Sequence, residues 1–360
     1  MKQLLRNRIQ LIIILIITVQ SANAQDTLDM VKIEKGVDEH LTYFSNENPG
    51  AVVAVVKKGN LIFNKAYGLS NVQEKEIMTI DKLFNIRQLT KSFTAVAVLQ
   101  LVEKNKINLE DNLKYIFPDF PEYGKKVMIR NLLNHTSCLP NYNEETIYTN
   151  DQVLTFLKNQ NGTDKEPGVN WKYSNSDYVM LALIIEEVSG QSYKDYLKKK
   201  IFNKLSMNNT WFVDEINNKN IAESHYKEND KYVIRKENKN IYGEQGIYTN
   251  STDFAKWDKA LYSDKLLSCE YLTKIFSVEQ NKFGNKSSFY NYGWERMERY
   301  GIKYYWHGGS QGGYTNLVFH LPDNQTTVLI LTNRNDGYNL LRMTTYIAKL
   351  FDKLLMLRFR

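Results

Sequence analysis

Apolar residues in this chain fall into runs of different period, and each period predicts a different element. Leu11 to Val19 is apolar throughout except for Thr18. Lys2, Arg6 and Arg8 precede it and Ala22-Asn23-Ala24 follows. A run of about ten residues is too short to span a bilayer, which takes about 20. The order basic, apolar, small-x-small predicts an export leader over residues 1–24, cleaved from a periplasmic or secreted protein. An uncleaved membrane anchor is the competing reading. No Cys adjoins the cleavage pattern, which argues against a lipoprotein.

Beyond the leader, Leu28 to Phe44 has mixed helical periodicity and predicts an N-terminal helix, ended by Pro49-Gly50. Ala51–Val56 and Leu61–Ala66 are β-rich runs joined by Lys57-Lys58-Gly59-Asn60, a hairpin signal with Gly59 and Asn60 as the turn residues. Phe93 to Val102 is apolar nearly all round a helical wheel, which predicts a helix buried on every side. Tyr178 to Val188 is a second such helix, stopped by Ser189-Gly190. Tyr193 to Leu205 reads as an amphipathic helix, and the polar stretch Lys219 to Asn240 as an exposed excursion. Leu317–His320 and Thr327–Leu331 are strand-like around a Pro322-Asp323-Asn324 turn, and Leu340 to Leu357 closes the chain as a helix. This order predicts an α+β chain. One antiparallel sheet, flanked by terminal helices, is built from both chain ends around an inserted helical region. The expected sheet subdomain covers about residues 28–83 and 245–360, and the helical one about 84–244, within a single unit of 25–360.

The chain has 360 residues and a formal charge of +7, which falls to +4 once the leader and its three basic residues are gone. A mixed, solvated surface accounts for that balance. No dense Lys/Arg stripe with interleaved aromatics supports nucleic-acid binding, and the membrane enters only through the leader. The mature cysteines, Cys138 and Cys269, could pair after export, but two buried free thiols are the favoured expectation for a chain of this size. No Cys/His cluster has zinc-ligand spacing, so neither metal nor cofactor is implied.

Three segments carry candidate chemistry. They are Phe84-Asn85-Ile86-Arg87-Gln88-Leu89-Thr90-Lys91-Ser92-Phe93, Tyr173-Ser174-Asn175, and His307-Gly308-Gly309-Ser310. In this order they resemble the Ser-x-x-Lys, Tyr-x-Asn and Lys-Thr-Gly or His-x-Gly motifs of the serine β-lactamase and penicillin-binding-protein superfamily. The likeness is to its class C β-lactamase, D-alanyl-D-alanine carboxypeptidase and esterase branch. Leu132-Leu133-Asn134-His135-Thr136-Ser137, Gly243 to Leu261 and Tyr292-Gly293-Trp294 extend the likeness along nearly the whole mature chain. The resemblance implies a β-lactamase/transpeptidase-like fold. It also implies that position 88 faces Lys91 one helical turn on. Tyr173 would share proton work, Asn175 would hold substrate, and His307 would offer a donor. The N–H groups of 88 and 310 would form the oxyanion hole, and Gly308 and Gly309 would leave room for substrate along a strand edge.

The sequence departs from that pattern where a serine is expected, because position 88 is Gln and its neighbour is the bulky Arg87. Cys138 and Gln245 also stand where the family usually has Gly. A carboxamide nitrogen has a delocalised lone pair and cannot replace an alkoxide. Loss of a triad nucleophile costs on the order of 10⁶ in turnover. Thr90 and Ser92 are rotated about 200° and 40° from residue 88 at 100° per residue, so neither is placed to take over. Gly308-Gly309-Ser310-Gln311-Gly312 also matches the G-x-S-x-G elbow of α/β-hydrolases, but that elbow needs a helix after it and a strand-like run follows here. His135 lies in a turn-like context and reads as structural.

Three functions follow. A pseudoenzyme would bind a small acyl or peptide ligand, peptidoglycan fragments among them. A hydrolase of ester, D-amino-acid peptide or β-lactam bonds would use Lys91 and Tyr173 by a non-standard route. A purely structural envelope protein would bind nothing.

Overall fold

The computed structural model describes residues 29–44, 47–217, 219–235, 239–276, 290–299, 301–336, 339–352 and 355. The expected leader lies outside them. Its central element is a seven-stranded antiparallel sheet. In spatial order the strands are Tyr290–Asn291, Trp294–Arg299, Ile302–Gln311, Tyr314–Leu321, Thr326–Thr332, Ala51–Lys57 and Asn60–Tyr67. The two chain ends meet where Ala51–Lys57 pairs with Thr326–Thr332, Ala51 opposite Thr332 and Lys57 opposite Thr326.

Both faces of this sheet are covered, so its inner strands read as continuous apolar runs. The period of two still sorts them. Ala51, Val53 and Val55 turn to one core together with Leu317, Phe319, Val328 and Ile330. The terminal helices Met30–His40 and Leu340–Phe351 close that side with Ile33, Val37, Ile347 and Phe351. Val52, Ala54, Val318, Leu329 and Leu331 point the other way, into the larger core shared with the helical region. Each such Val, Leu, Ile or Phe side chain contributes roughly 1.5–3 kcal/mol when fully buried.

At the centre of the larger core is the helix Thr90–Glu103, buried at every position from Thr90 to Val102. Asn175–Ser189 packs beside it and ends at Gly190, whose φ of 66° is the left-handed cap expected there. The amphipathic segment after it is less regular than its periodicity suggests. It is α-helical over Tyr193–Leu197, then passes into a π turn over Lys198–Phe202. The Lys219–Asn240 excursion holds a small hairpin, His225–Glu228 with Lys231–Ile234.

Two local expectations are corrected. The residues of positive φ in the first hairpin are Lys58 at 50° and Gly59 at 71°, not Gly59 and Asn60. A two-residue type I′ turn needs φ above zero at both central positions, and Asn60 is already in the strand, opposite Lys57. The cysteines are both free, but only Cys138 is buried; Cys269 is exposed at the start of the helix Cys269–Phe276.

One contact pins the sheet edge to the central helix. Gly293 has φ of 85°, and a Cβ there would lie 2.7 Å from Ser92 Cα and 2.9 Å from Lys91 C. Gly293→Ala is therefore expected to destabilise the protein by about 2–4 kcal/mol, from overpacking plus left-handed strain. Urea unfolding measures the loss.

Candidate active site

A tight turn delivers the first motif. Arg87–Leu89 forms a 3-10 turn ahead of the central helix, and Arg87 has φ of 53°. Residues with a Cβ rarely adopt that conformation. The turn is held closely against the strand carrying the third motif. A Cβ on Gly309 would approach Ile86 O to 2.5 Å and Arg87 Cβ to 2.7 Å, whereas one on Gly308 would meet Asn316 O at 3.4 Å. The protein's own backbone thus already requires glycine at 309.

Past Trp306 the strand Ile302–Gln311 loses its partner on one side, because pairing with Trp294–Arg299 ends at Glu295 opposite Trp306. Its free edge faces residue 88. The Ser310 N–H donates to Gln88 Oε1 at 3.2 Å, and Gln88 Nε2 donates to Gln311 Oε1 at 3.2 Å. Gln311 Nε2 donates in turn to Glu144. The other Glu144 oxygen accepts from Asn175 Nδ2 at 2.8 Å, and Asn175 Oδ1 accepts from Lys91 Nζ at 2.7 Å. Both ends of the Asn175 amide, expected to hold substrate, are engaged in this chain.

Lys91 is fully buried and lies 3.4 Å from the equally buried Glu244, which also accepts from Tyr142 OH at 3.0 Å. Its ammonium is 5.0 Å from the Tyr173 ring centre and 5.6 Å from that of Tyr178. Burial raises the Tyr173 phenol above its ordinary range, while the Lys91 charge opposes that rise. The phenol is therefore protonated near neutral pH. Burial likewise raises Glu244, with Lys91 opposing.

His307 does not turn a donor towards the cleft as expected. Its Nδ1–H donates to Gly308 O at 2.7 Å, and Nε2 accepts from Tyr290 OH at 3.0 Å. Burial and the Lys91 charge hold the ring down at about 3, so it is neutral. His135 is fully buried. Its Nδ1 is 2.7 Å from Asp177 Oδ2, and its ring lies 4.4 Å from those of both Tyr173 and Tyr290. Burial drives both His135 and Asp177 towards their neutral forms.

Lys91, Tyr173, Asn175, Gln88 and Ser310 are thus brought together, with His307 behind Tyr290. Sequence reasoning missed Glu144, Glu244, Gln311 and Tyr142. Glu244 and Gln311 lie inside segments already singled out. Glu144 is in a polar loop that carries no signal of its own. The elbow reading fails, because Ser310 is within a strand and the next element is the strand Tyr314–Leu321. Ser92 is not positioned as a substitute nucleophile, since its hydroxyl donates to Leu89 O at 2.9 Å.

A Lys-bearing buried helix, a Tyr-x-Asn turn and a glycine-rich strand edge around one cleft define a β-lactamase/transpeptidase-like protein. The chain belongs to the beta-lactamase family, whose family model matches residues 32–351. It is similar to penicillin-binding protein 4* of Bacillus subtilis, 29% identical over 80% of this chain and 68% of that protein. It is also similar to the putative penicillin-binding protein PbpX of Bacillus subtilis, 27% identical over 93% and 83%. Among solved structures, the octameric penicillin-binding protein homologue from Pyrococcus abyssi has a TM-score of 0.80 at 27% identity, covering 89% of this chain and 77% of that one. A class C beta-lactamase shares the fold, with a TM-score of 0.77 at 21% identity over 90% and 98%.

Two predictions follow from the buried charges. Glu244→Gln leaves Lys91 short of its counter-charge and is expected to cost about 3–5 kcal/mol; adding Lys91→Met should recover part of that loss in a double-mutant cycle. The second concerns pH. Folded His307 stays neutral to about 3, while in the unfolded chain it protonates near 6.5, so stability falls as pH drops through that window. Glu295, raised by burial from 4.5 to about 7, acts oppositely: it keeps its proton when folded, and stability falls as pH rises between those values. Unfolding free energies across pH should show His307→Gln flattening the acid limb and Glu295→Gln flattening the loss towards neutrality.

Proposed function

We propose that this chain is an exported, catalytically impaired member of its family that holds a small acyl or peptide ligand without bonding to it covalently. The reading places Gln88 where family members carry their nucleophilic serine. The observation that carries it is the engagement of the Gln88 carboxamide. Its oxygen takes the Ser310 N–H, the donor that the family likeness assigns to the oxyanion, and its nitrogen is spent on Gln311. The side chain thus satisfies the acyl-stabilising donor internally and offers no atom able to attack a carbonyl carbon.

The rest of the site supports binding over turnover. Lys91 is committed to Asn175 and Glu244, and the protonated Tyr173 phenol is no ready base. A water-mediated hydrolase using Lys91 and Tyr173 would need one of them free and basic. Relatives named as penicillin-binding proteins suggest a ligand of the same chemical kind, an acylated or D-amino-acid peptide fragment of the envelope.

Labelled penicillin and a fluorophosphonate test the reading. The wild-type protein is expected to remain unlabelled at every residue of the cleft. Gln88→Ser is expected to gain acylation, since it returns a hydroxyl beside Lys91 and frees Ser310 N–H. Labelling of the wild type, or ester hydrolysis lost on Lys91→Ala, contradicts it.

A further inference from the structure

Behind the Arg87 turn lies a cavity of about 280 Å³, lined by Arg87 and Gln245 but not by Gln88 or Lys91. One wall is the turn together with Gln245, Gly246, Tyr248 and Tyr314. The other comes from the excursion after Val213 and contributes Lys219, Glu223, Arg235 and Lys239. Among the described residues, four cations therefore line it against one carboxylate. Arg235 is partly neutralised by Glu228, with which it forms an ion pair, and it lies over Tyr226. Lys219 holds its ammonium 3.6 Å from the Trp211 ring centre.

Arg87 is the buried member, 3% exposed, and its guanidinium is fixed in place. Nη1 donates to Gln245 Oε1 at 3.2 Å and Nη2 to Gly312 O at 3.1 Å, with the Tyr314 ring 5.5 Å away. A fixed cation at a desolvated wall acts on a ligand charge through a lower effective dielectric than a surface lysine does. Arg87 and Gln245, two departures from the family pattern, meet at this wall. Arg87 holds the left-handed conformation there, with φ of 53°.

We propose that this cavity is a binding site for a small anionic ligand, one that places a carboxylate or phosphate group among Arg87, Lys219 and Lys239. Its volume suits a compact small molecule rather than a polymer. Glu223 is the internal group that such an anion must oppose. The site is separate from the acyl cleft and stands whether or not the cleft retains chemistry.

Calorimetric titration of the full chain with inorganic phosphate and, separately, with citrate tests it. Saturable binding of at least one probe, weakening as salt rises, is expected. Lys219→Glu with Lys239→Glu is expected to weaken it by about tenfold or more, and Glu223→Gln to tighten it. Lys35→Glu with Lys75→Glu makes the same change in net charge at exposed positions elsewhere and is expected to leave binding nearly unchanged. A preference for phosphate assigns a phosphorylated ligand, and a preference for citrate a polycarboxylate. No saturable binding of either probe, or equal weakening in both charge-reversed pairs, overturns the proposal.

Discussion

The Lys91 ammonium is the constraint around which this fold is arranged. It has no exposure to water, and an unpaired charge in such a place costs several kcal/mol. Compensation comes from Asn175 at the start of one helix, from Glu244 in a glycine-bounded loop, and from the faces of Tyr173 and Tyr178. These groups are more than 80 residues from Lys91 along the chain. One buried charge therefore fixes the relative positions of three segments. The same polar path runs on through Glu144 and Gln311 to Gln88, so the Gln88 carboxamide is coupled to that charge.

Backbone proximity sets the rest of the cleft. Gly309 lets the strand edge lie against the Ile86–Gln88 turn, and Gly293 lets the neighbouring edge lie against the central helix. These contacts leave little freedom in where residue 88 points. Within them, a long carboxamide finds its partners on the facing strand, and the bulk of Arg87 is taken up on the other side by Gln245, Gly312 and Tyr314. The two adjacent side chains thus part company: Gln88 turns to Ser310 and Gln311, and Arg87 to Gln245 and Gly312.

Support for Tyr173 comes from a layer of groups kept neutral. His135, Tyr290 and His307 pack in succession, ring against ring. Protonating any of these imidazoles would add a positive charge near Lys91. Burial first, and the Lys91 charge after it, lowers the basicity of both rings.

Periodicity alone determined much of this protein. The two all-apolar helices, the N-terminal hairpin, the strand pair around Pro322 and the closing helix follow from it. Burial on every side and burial on one face leave different marks in a sequence. The three motifs were legible because each is a short run of adjacent residues. Local spacing carried no information on which distant groups would meet. Glu144, Gln311 and Glu244 join the site only because the helical insertion folds back on the strand edge, and hydrogen bonds act over about 3 Å of space whatever the separation along the chain. The exposure of Cys269, the direction of the His307 donor and the encounter of Arg87 with Gln245 were likewise decided by packing. Each depends on which neighbours surround a side chain, and only the tertiary structure sets those.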